Sequence, residues 1–323
     1  VLPTVEILDH QGALLASHTL LNSDGYYYTD IQVTHLDGRF QTLYQYNCDD
    51  NGSWQVGWGW GCIDFREYDD AGTEVTSSLV FGEIGHNGHP VLDWSGTSFG
   101  VAWVSYDEMF FRGVDGMRQL MGGAEPLANV HVASDPGQND DRDRARTKIV
   151  WDGTAFAIFS ILGQQMYLVR ANAAGTVVTP RTSLFPAYTG TFSGQFDVAS
   201  INGDLFVLHR EVGSDDTIKL RKLTAAGQVV ATTTISSGAD YRYPQLLVIG
   251  GELYAFTNDA NGMVELTVLD DQASILAGKS GIVGTSAMHA PAPAYDATSG
   301  ELGIAYLDGA HAGNLWFARF TLP

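Results

Sequence analysis

The chain has 323 residues, 45% of them apolar and only 17% charged, so it can build a sizeable core and is not disordered as a whole. Its 37 acidic side chains against 17 basic ones leave a formal net charge of -20. Such a surface repels phosphate backbones and argues against nucleic-acid binding. No apolar run reaches the ~18 residues that a membrane span needs.

The chain starts at Val1, which reads as the start of a mature, processed protein. The first turn signal of a recurring kind is Leu36-Asp37-Gly38-Arg39-Phe40. Cys48 and Cys62, the only two cysteines, follow it 14 positions apart on either side of Asp49-Asp50-Asn51-Gly52. Leu43 to Tyr46 and Ile63 to Phe65 alternate like strands, so a hairpin would bring the thiols together. A disulfide closing that loop would contribute roughly 3 kcal/mol in the entropic account. It would place the protein in an oxidising compartment, secreted or periplasmic. Two buried free thiols, or part of a metal site, are the competing readings.

Two hairpins further along match closely, Leu92 to Phe99 and Ile149 to Phe156. Each reads as a strand, a two-residue turn at a glycine and a second strand. Weaker copies are Ile201 to Phe206, Ile249 to Tyr254 and, with a longer turn, Tyr295 to Leu302; the intervals are roughly 46–58 residues. A second element recurs as Ala71-Gly72-Thr73, Ala174-Gly175-Thr176 and Ala226-Gly227-Gln228, with a strand such as Ile218 to Lys222 before it. Each period therefore holds about four short strands, the content of one propeller blade. The expected fold is all-β, a single six-bladed β-propeller of four-stranded antiparallel blades over residues 1–323. The last period holds only three strands. Residues 1–20 are expected to close the ring, with Ala13 to Leu20 pairing against Leu315 to Phe320. Seven blades would need a further period within 104–148, where no glycine-centred hairpin of the right kind occurs.

The hairpins Trp94-Ser95-Gly96-Thr97-Ser98-Phe99 and Trp151-Asp152-Gly153-Thr154-Ala155-Phe156 resemble the Trp-Asp-Gly-Thr-x-Phe blade hairpins of secreted bacterial β-propeller repeat proteins. That resemblance implies the fold and an extracytoplasmic setting. It implies no activity, because propellers host lectins, lyases, hydrolases and scaffolds.

The residues just before each innermost strand should converge on the channel mouth of such a fold. They are Asp30 (with Tyr28 nearby), His89, Arg146, Gln195, Arg242 with Tyr243, and His289. They differ from blade to blade, which favours one asymmetric site for a polar or acidic ligand over six equal ones. Arg146, Arg242, Asp30 and Gln195 would bind it, and Tyr243 with His89 or His289 would exchange protons. The chemistry such a set suits is a lyase on an acidic polysaccharide. A lectin-like, non-catalytic glycan binder or a cell-surface interaction module is the alternative, and the chain is expected to be monomeric. The bland reading of the same residues is a channel mouth polar only because strand ends meet solvent.

His89 and His289, with His86 and His131 near their own blades, also admit a His-bound transition metal. The charged insertion 132–145 could hold calcium, but it lacks EF-hand spacing and reads first as a solvated loop. Trp54, Trp58 and Trp60 beside Gly57 and Gly59 fit a sugar-stacking platform, though blade core is the stronger reading. His209 lies inside a strand and reads as a satisfied blade histidine. No nucleophile elbow, P-loop or dinucleotide fingerprint is present.

Overall fold

The computed structural model describes residues 4–8, 14–19, 29–36, 38–47, 61–85, 87–105, 108–128, 146–162, 165–185, 191–212, 217–237, 242–259, 261–283, 291–308 and 314–321. Every regular element among them is a strand. Strands β1 (Thr4–Leu8) and β2 (Leu14–Thr19) form a two-stranded hairpin. The first blade is β3 (Thr29–Leu36), β4 (Arg39–Asn47), β5 (Gly61–Asp69) and β6 (Glu74–Gly85). The second is β7 (Asn87–Trp94), β8 (Ser98–Ser105), β9 (Glu108–Asp115) and β10 (Leu120–Ala128). The third is β11 (Arg146–Trp151), β12 (Phe156–Leu162), β13 (Gln165–Ala171) and β14 (Val177–Leu184). The fourth is β15 (Thr191–Ile201), β16 (Asp204–Val212), β17 (Thr217–Leu223) and β18 (Val229–Ser237). The fifth is β19 (Arg242–Ile249), β20 (Glu252–Asn258), β21 (Val264–Leu269) and β22 (Ile275–Val283). The sixth has three described strands, β23 (Ala292–Asp296), β24 (Glu301–Asp308) and β25 (Asn314–Thr321).

Each sheet keeps chain order across its width, the up-and-down order of propeller blades. The fold is an all-β, six-bladed β-propeller. Residues 104–148 complete the second blade and open the third, so they supply no seventh blade among the described residues. The N-terminal strands pair with each other, Thr19 of β2 opposite Thr4 of β1.

Local chemistry sets the turns. Between the first two strands of the second and third blades, Ser95 N–H donates to the Ser98 carbonyl and Asp152 N–H to that of Ala155. Gly96 and Gly153 then carry φ of +94° and +93°, which side chains rarely tolerate. Ser95 Oγ accepts from Ser98 N–H at 2.9 Å, and Asp152 Oδ1 from Ala155 N–H at 2.8 Å, so equivalent short polar side chains brace the same turn. The turn before the last strand is also repeated. Asp69, Asp115, Asn172, Thr224 and Asp270 each donate their N–H to the carbonyl four residues on. The residue three positions after each has positive φ, as a three-residue hairpin loop requires: Gly72, Arg118, Gly175, Gly227 and Ala273.

The chain divides into two compact units, Val1–Ile149 with Val169–Pro180 and Val150–Leu168 with Arg181–Pro323. The core of the first centres on Leu43, Ile63, Phe65, Phe99 and Trp103, all essentially inaccessible. Among the described residues of the second unit, core clusters are built on Phe159, Leu168 and Phe196; on Phe206, Leu220 and Leu253; and on Phe256, Leu302 and Ile304. Burying one such side chain stabilises by roughly 1.5–3 kcal/mol. Alternation follows the strand period, as in β17, where Ile218, Leu220 and Lys222 are buried and Lys219 and Arg221 only half-buried.

Candidate functional site

Those of the residues singled out before the innermost strands that are described fall within the first strands of five blades. Asp30 is the second residue of β3, His89 the third of β7, Arg146 the first of β11 and Gln195 the fifth of β15. Arg242 and Tyr243 open β19, while His289 lies outside the described residues, as does Tyr28. The pairing of these strands breaks at the same places. Register shifts fall between Thr29 and Gln32, between Gly88 and Val91, between Phe192 and Phe196, and between Arg242 and Gln245. Asp30, His89, Gln195 and Tyr243 each lie inside one of these breaks. A bulge there leaves a residue outside the ladder and re-aims its side chain.

Within each unit, neighbouring first strands are tied by a side-chain acceptor just beyond the break. In the first, Leu92 N–H on β7 donates to Gln32 Oε1 on β3 at 3.2 Å. In the second, Leu246 N–H on β19 donates to Asp197 Oδ2 on β15 at 2.8 Å. β15, which carries Gln195, and β19, which carries Arg242 and Tyr243, are thereby neighbours. Tyr243 is half-buried and has φ of +53°, an outlier for a bulky side chain that costs of order 1–3 kcal/mol.

At the other ends of the first strands lie two clefts that sequence reasoning missed. In the first unit, Trp94, Thr97, Arg39 and Arg118 line one of about 500 Å³. Beneath it, fully buried Glu67 accepts from Arg118 Nε at 2.5 Å, Gln41 Nε2 at 3.0 Å and Thr76 Oγ1 at 2.9 Å. Arg39 Nη1 stands 3.6 Å from the same Glu67 oxygen that Arg118 holds. Burial pushes the Glu67 carboxyl up, but the bonds from Arg118, Gln41 and Thr76 outweigh it and hold it below the usual carboxylate range. The Arg118 guanidinium lies 5.4 Å from the centroid of Phe99, and the Trp94 indole lies 4.4 Å from the same ring. In the second unit, a cleft of about 430 Å³ at Trp151 is lined by Asp152, Thr154, Ser200 and Asn202, with no basic side chain among the described residues that line it. One sequence signal pointed to the first cleft: Asp115 to Gln119 aligns with its sister turns but puts arginine where three of them have glycine.

His209 behaves as a blade histidine. It is fully buried and stacked on Phe185 at 5.2 Å, with Nε2 3.8 Å from Glu211 Oε1. Burial above all, then the charges of Arg221 and Lys219, push its pKa well below the ordinary value. Glu211 also accepts from Lys219 Nζ at 2.6 Å and from Arg221.

Cys62 stands in β5 opposite Tyr46 of β4, the hairpin its flanks predicted. Cys48, the Cys62 side chain, Trp54, Trp58, Trp60, His86, His131 and the insertion 132–145 lie outside the described residues. So do the side chains of Asp30, His89, Arg146, Gln195 and Arg242. Among the described residues no group of three or more His, Cys, Asp or Glu could hold a metal ion. Among the same residues no helix is long and apolar enough to cross a membrane.

No protein-family model matches the chain, and no curated protein does. Solved structures share the fold. An α-L-arabinanase of Penicillium chrysogenum, complexed with arabinobiose, superposes with a TM-score of 0.55 at 12% identity over 92% of this chain and 95% of that one. A prolyl endopeptidase gives 0.52 at 11% identity over 95% of this chain, which spans 41% of its length. A shared fold at such low identity fixes no activity, so activity must be argued from the residues.

Proposed function

We propose that this propeller acts on an acidic polysaccharide as a lyase, with Arg242 and Tyr243 at the start of β19 as its working residues. The observation that carries the reading is Tyr243. A bulky residue is kept in left-handed backbone, inside a register break, at a position the sequence alone nominated. Gln195 sits in the matching break of the adjacent β15. A carbohydrate ligand agrees with the fold shared with an arabinanase complexed with arabinobiose.

The chemistry is an elimination. Arg242 pairs with the carboxylate of a uronate unit and acidifies the proton α to it. An imidazole nitrogen, for which His289, just before β23, is the candidate in the same unit, takes that proton, and the electron pair becomes the new C=C bond as the bond to the glycosidic oxygen at the β carbon breaks. The leaving oxygen takes its proton from the Tyr243 hydroxyl. A net charge of -20 opposes a polyanion, so turnover should rise with moderate salt before it falls. Secretion or a periplasmic location completes the proposal, resting on the spacing of Cys48 and Cys62.

The test is the ultraviolet absorbance of unsaturated product across a panel of acidic polysaccharides. Tyr243→Phe should cut turnover by roughly 10²–10⁴-fold with affinity nearly unchanged. Arg242→Ala should weaken binding by about 1.5–3 kcal/mol. Binding without any unsaturated product would replace the lyase by the second reading, a non-catalytic glycan-binding propeller.

A further inference from the structure

We infer that the Trp94 cleft of the first unit is a separate subsite for a carboxylate-bearing sugar unit, with Arg118 setting its specificity. It rests on the glycan reading above for its ligand class alone. The residues differ: Trp94 ends β7 in the first unit, whereas Arg242 and Tyr243 open β19 in the second.

The turn containing Arg118 occurs in five blades with the same closing hydrogen bonds. Its left-handed position is filled by Gly72, Gly175 and Gly227 in three of them and by Ala273 in another. A turn that closes without a long side chain does not need one, so Arg118 is not explained by the turn. At φ of +64° it bears a conformational cost that glycine avoids. What it gains is a fixed guanidinium: Nε on buried Glu67, Nη1 on the Gly116 carbonyl at 3.0 Å, and its plane near Phe99.

Arg39 converges on the same Glu67 oxygen, so two cations share one buried carboxylate and the cleft wall keeps an excess positive charge. Among the described residues lining the cleft there is no carboxylate. Phe99 supports both the guanidinium of Arg118 and the indole of Trp94, which holds a charged and an apolar surface beside each other. That pairing suits a ligand with a carboxylate on one edge and a C–H face on the other, and a uronate ring has both. The Trp151 cleft is the internal control. It has the same Trp-x-Gly-Thr hairpin and, among the described residues lining it, no cation, so the positive charge belongs to the second blade's cleft and not to the hairpin.

The test is calorimetric titration of the full chain with trigalacturonate and with its neutral methyl ester. It is run in an R242A/Y243F background, so that the proposed lyase residues contribute nothing. The acid form should bind about tenfold or more tighter than the ester, and R39Q and R118G should each lose about tenfold or more in affinity for it. Melting curves check that each variant folds; should R118G unfold, R39Q carries the result. No binding in this background, equal binding of acid and ester, or unchanged affinity in a folded R39Q would overturn the subsite. A parent protein that forms no unsaturated product, while R39Q still loses trigalacturonate, removes the lyase reading and leaves the subsite standing.

Discussion

Asp197 reaches from β15 to take the backbone N–H of Leu246 on β19 at 2.8 Å, so a charged side chain ties the first strands of two successive blades. Gln32 does the same for Leu92 in the first unit at 3.2 Å. Each acceptor lies just past a register break, where the ladder to its own blade resumes. Asp197→Ala leaves that half-buried N–H without its acceptor and should cost about 1–3 kcal/mol, read as a lower melting temperature. Asp197→Asn keeps an acceptor oxygen and should recover most of the loss. An alanine variant melting like the parent would show that water replaces the tie.

His209 gives a pH dependence with a definite sign. Its folded pKa lies well below the ordinary 6.5, so between the two values the unfolded chain binds a proton that the folded chain does not. Stability is therefore full above about pH 6.5 and falls as the pH drops towards the folded pKa, by at most ~1.4 kcal/mol per unit. His209→Phe removes that linkage while keeping a ring against Phe185. Denaturant melts of the two proteins between pH 5 and 7 should show a shallower slope in the variant; equal slopes would exclude His209 as the source.

Glu67 sits under two guanidiniums, and its removal leaves them facing each other. Glu67→Gln should destabilise by roughly 3–5 kcal/mol, the usual cost of breaking a buried pair from one side. Replacing Arg118 by glycine in that background should then cost less than in the parent, because the charge it balanced is gone. A double-mutant cycle on chemical denaturation measures this coupling, and additive effects would mean that the 2.5 Å contact between Arg118 and Glu67 contributes no net stability.

For the cysteines, the expected state is a Cys48–Cys62 disulfide. Intact mass under denaturing, non-reducing conditions should lie about 2 Da below the reduced form, two hydrogens being lost on oxidation. Alkylation of both thiols without a reductant would refute the pairing and remove the main support for an oxidising compartment.

The blades and their turns were legible in the sequence because the constraint behind them is local. A turn that needs positive φ selects glycine at Gly96, Gly153 and Gly203 whatever surrounds it, and the strands between alternate with the pleat. Counting those hairpins gave six blades, and reading back from them singled out Asp30, His89, Gln195 and Tyr243, which fall within first strands. That these four also fall in register breaks was not legible, because a break depends on how two strands pair and not on one strand alone. The Trp94 cleft was hidden for a similar reason. Arg118 meets Glu67 across 51 residues of chain, and Arg39 reaches the same carboxylate from another strand. Partner choice over such separations is decided by the packing of sheets against one another, which brings together side chains that no local pattern relates.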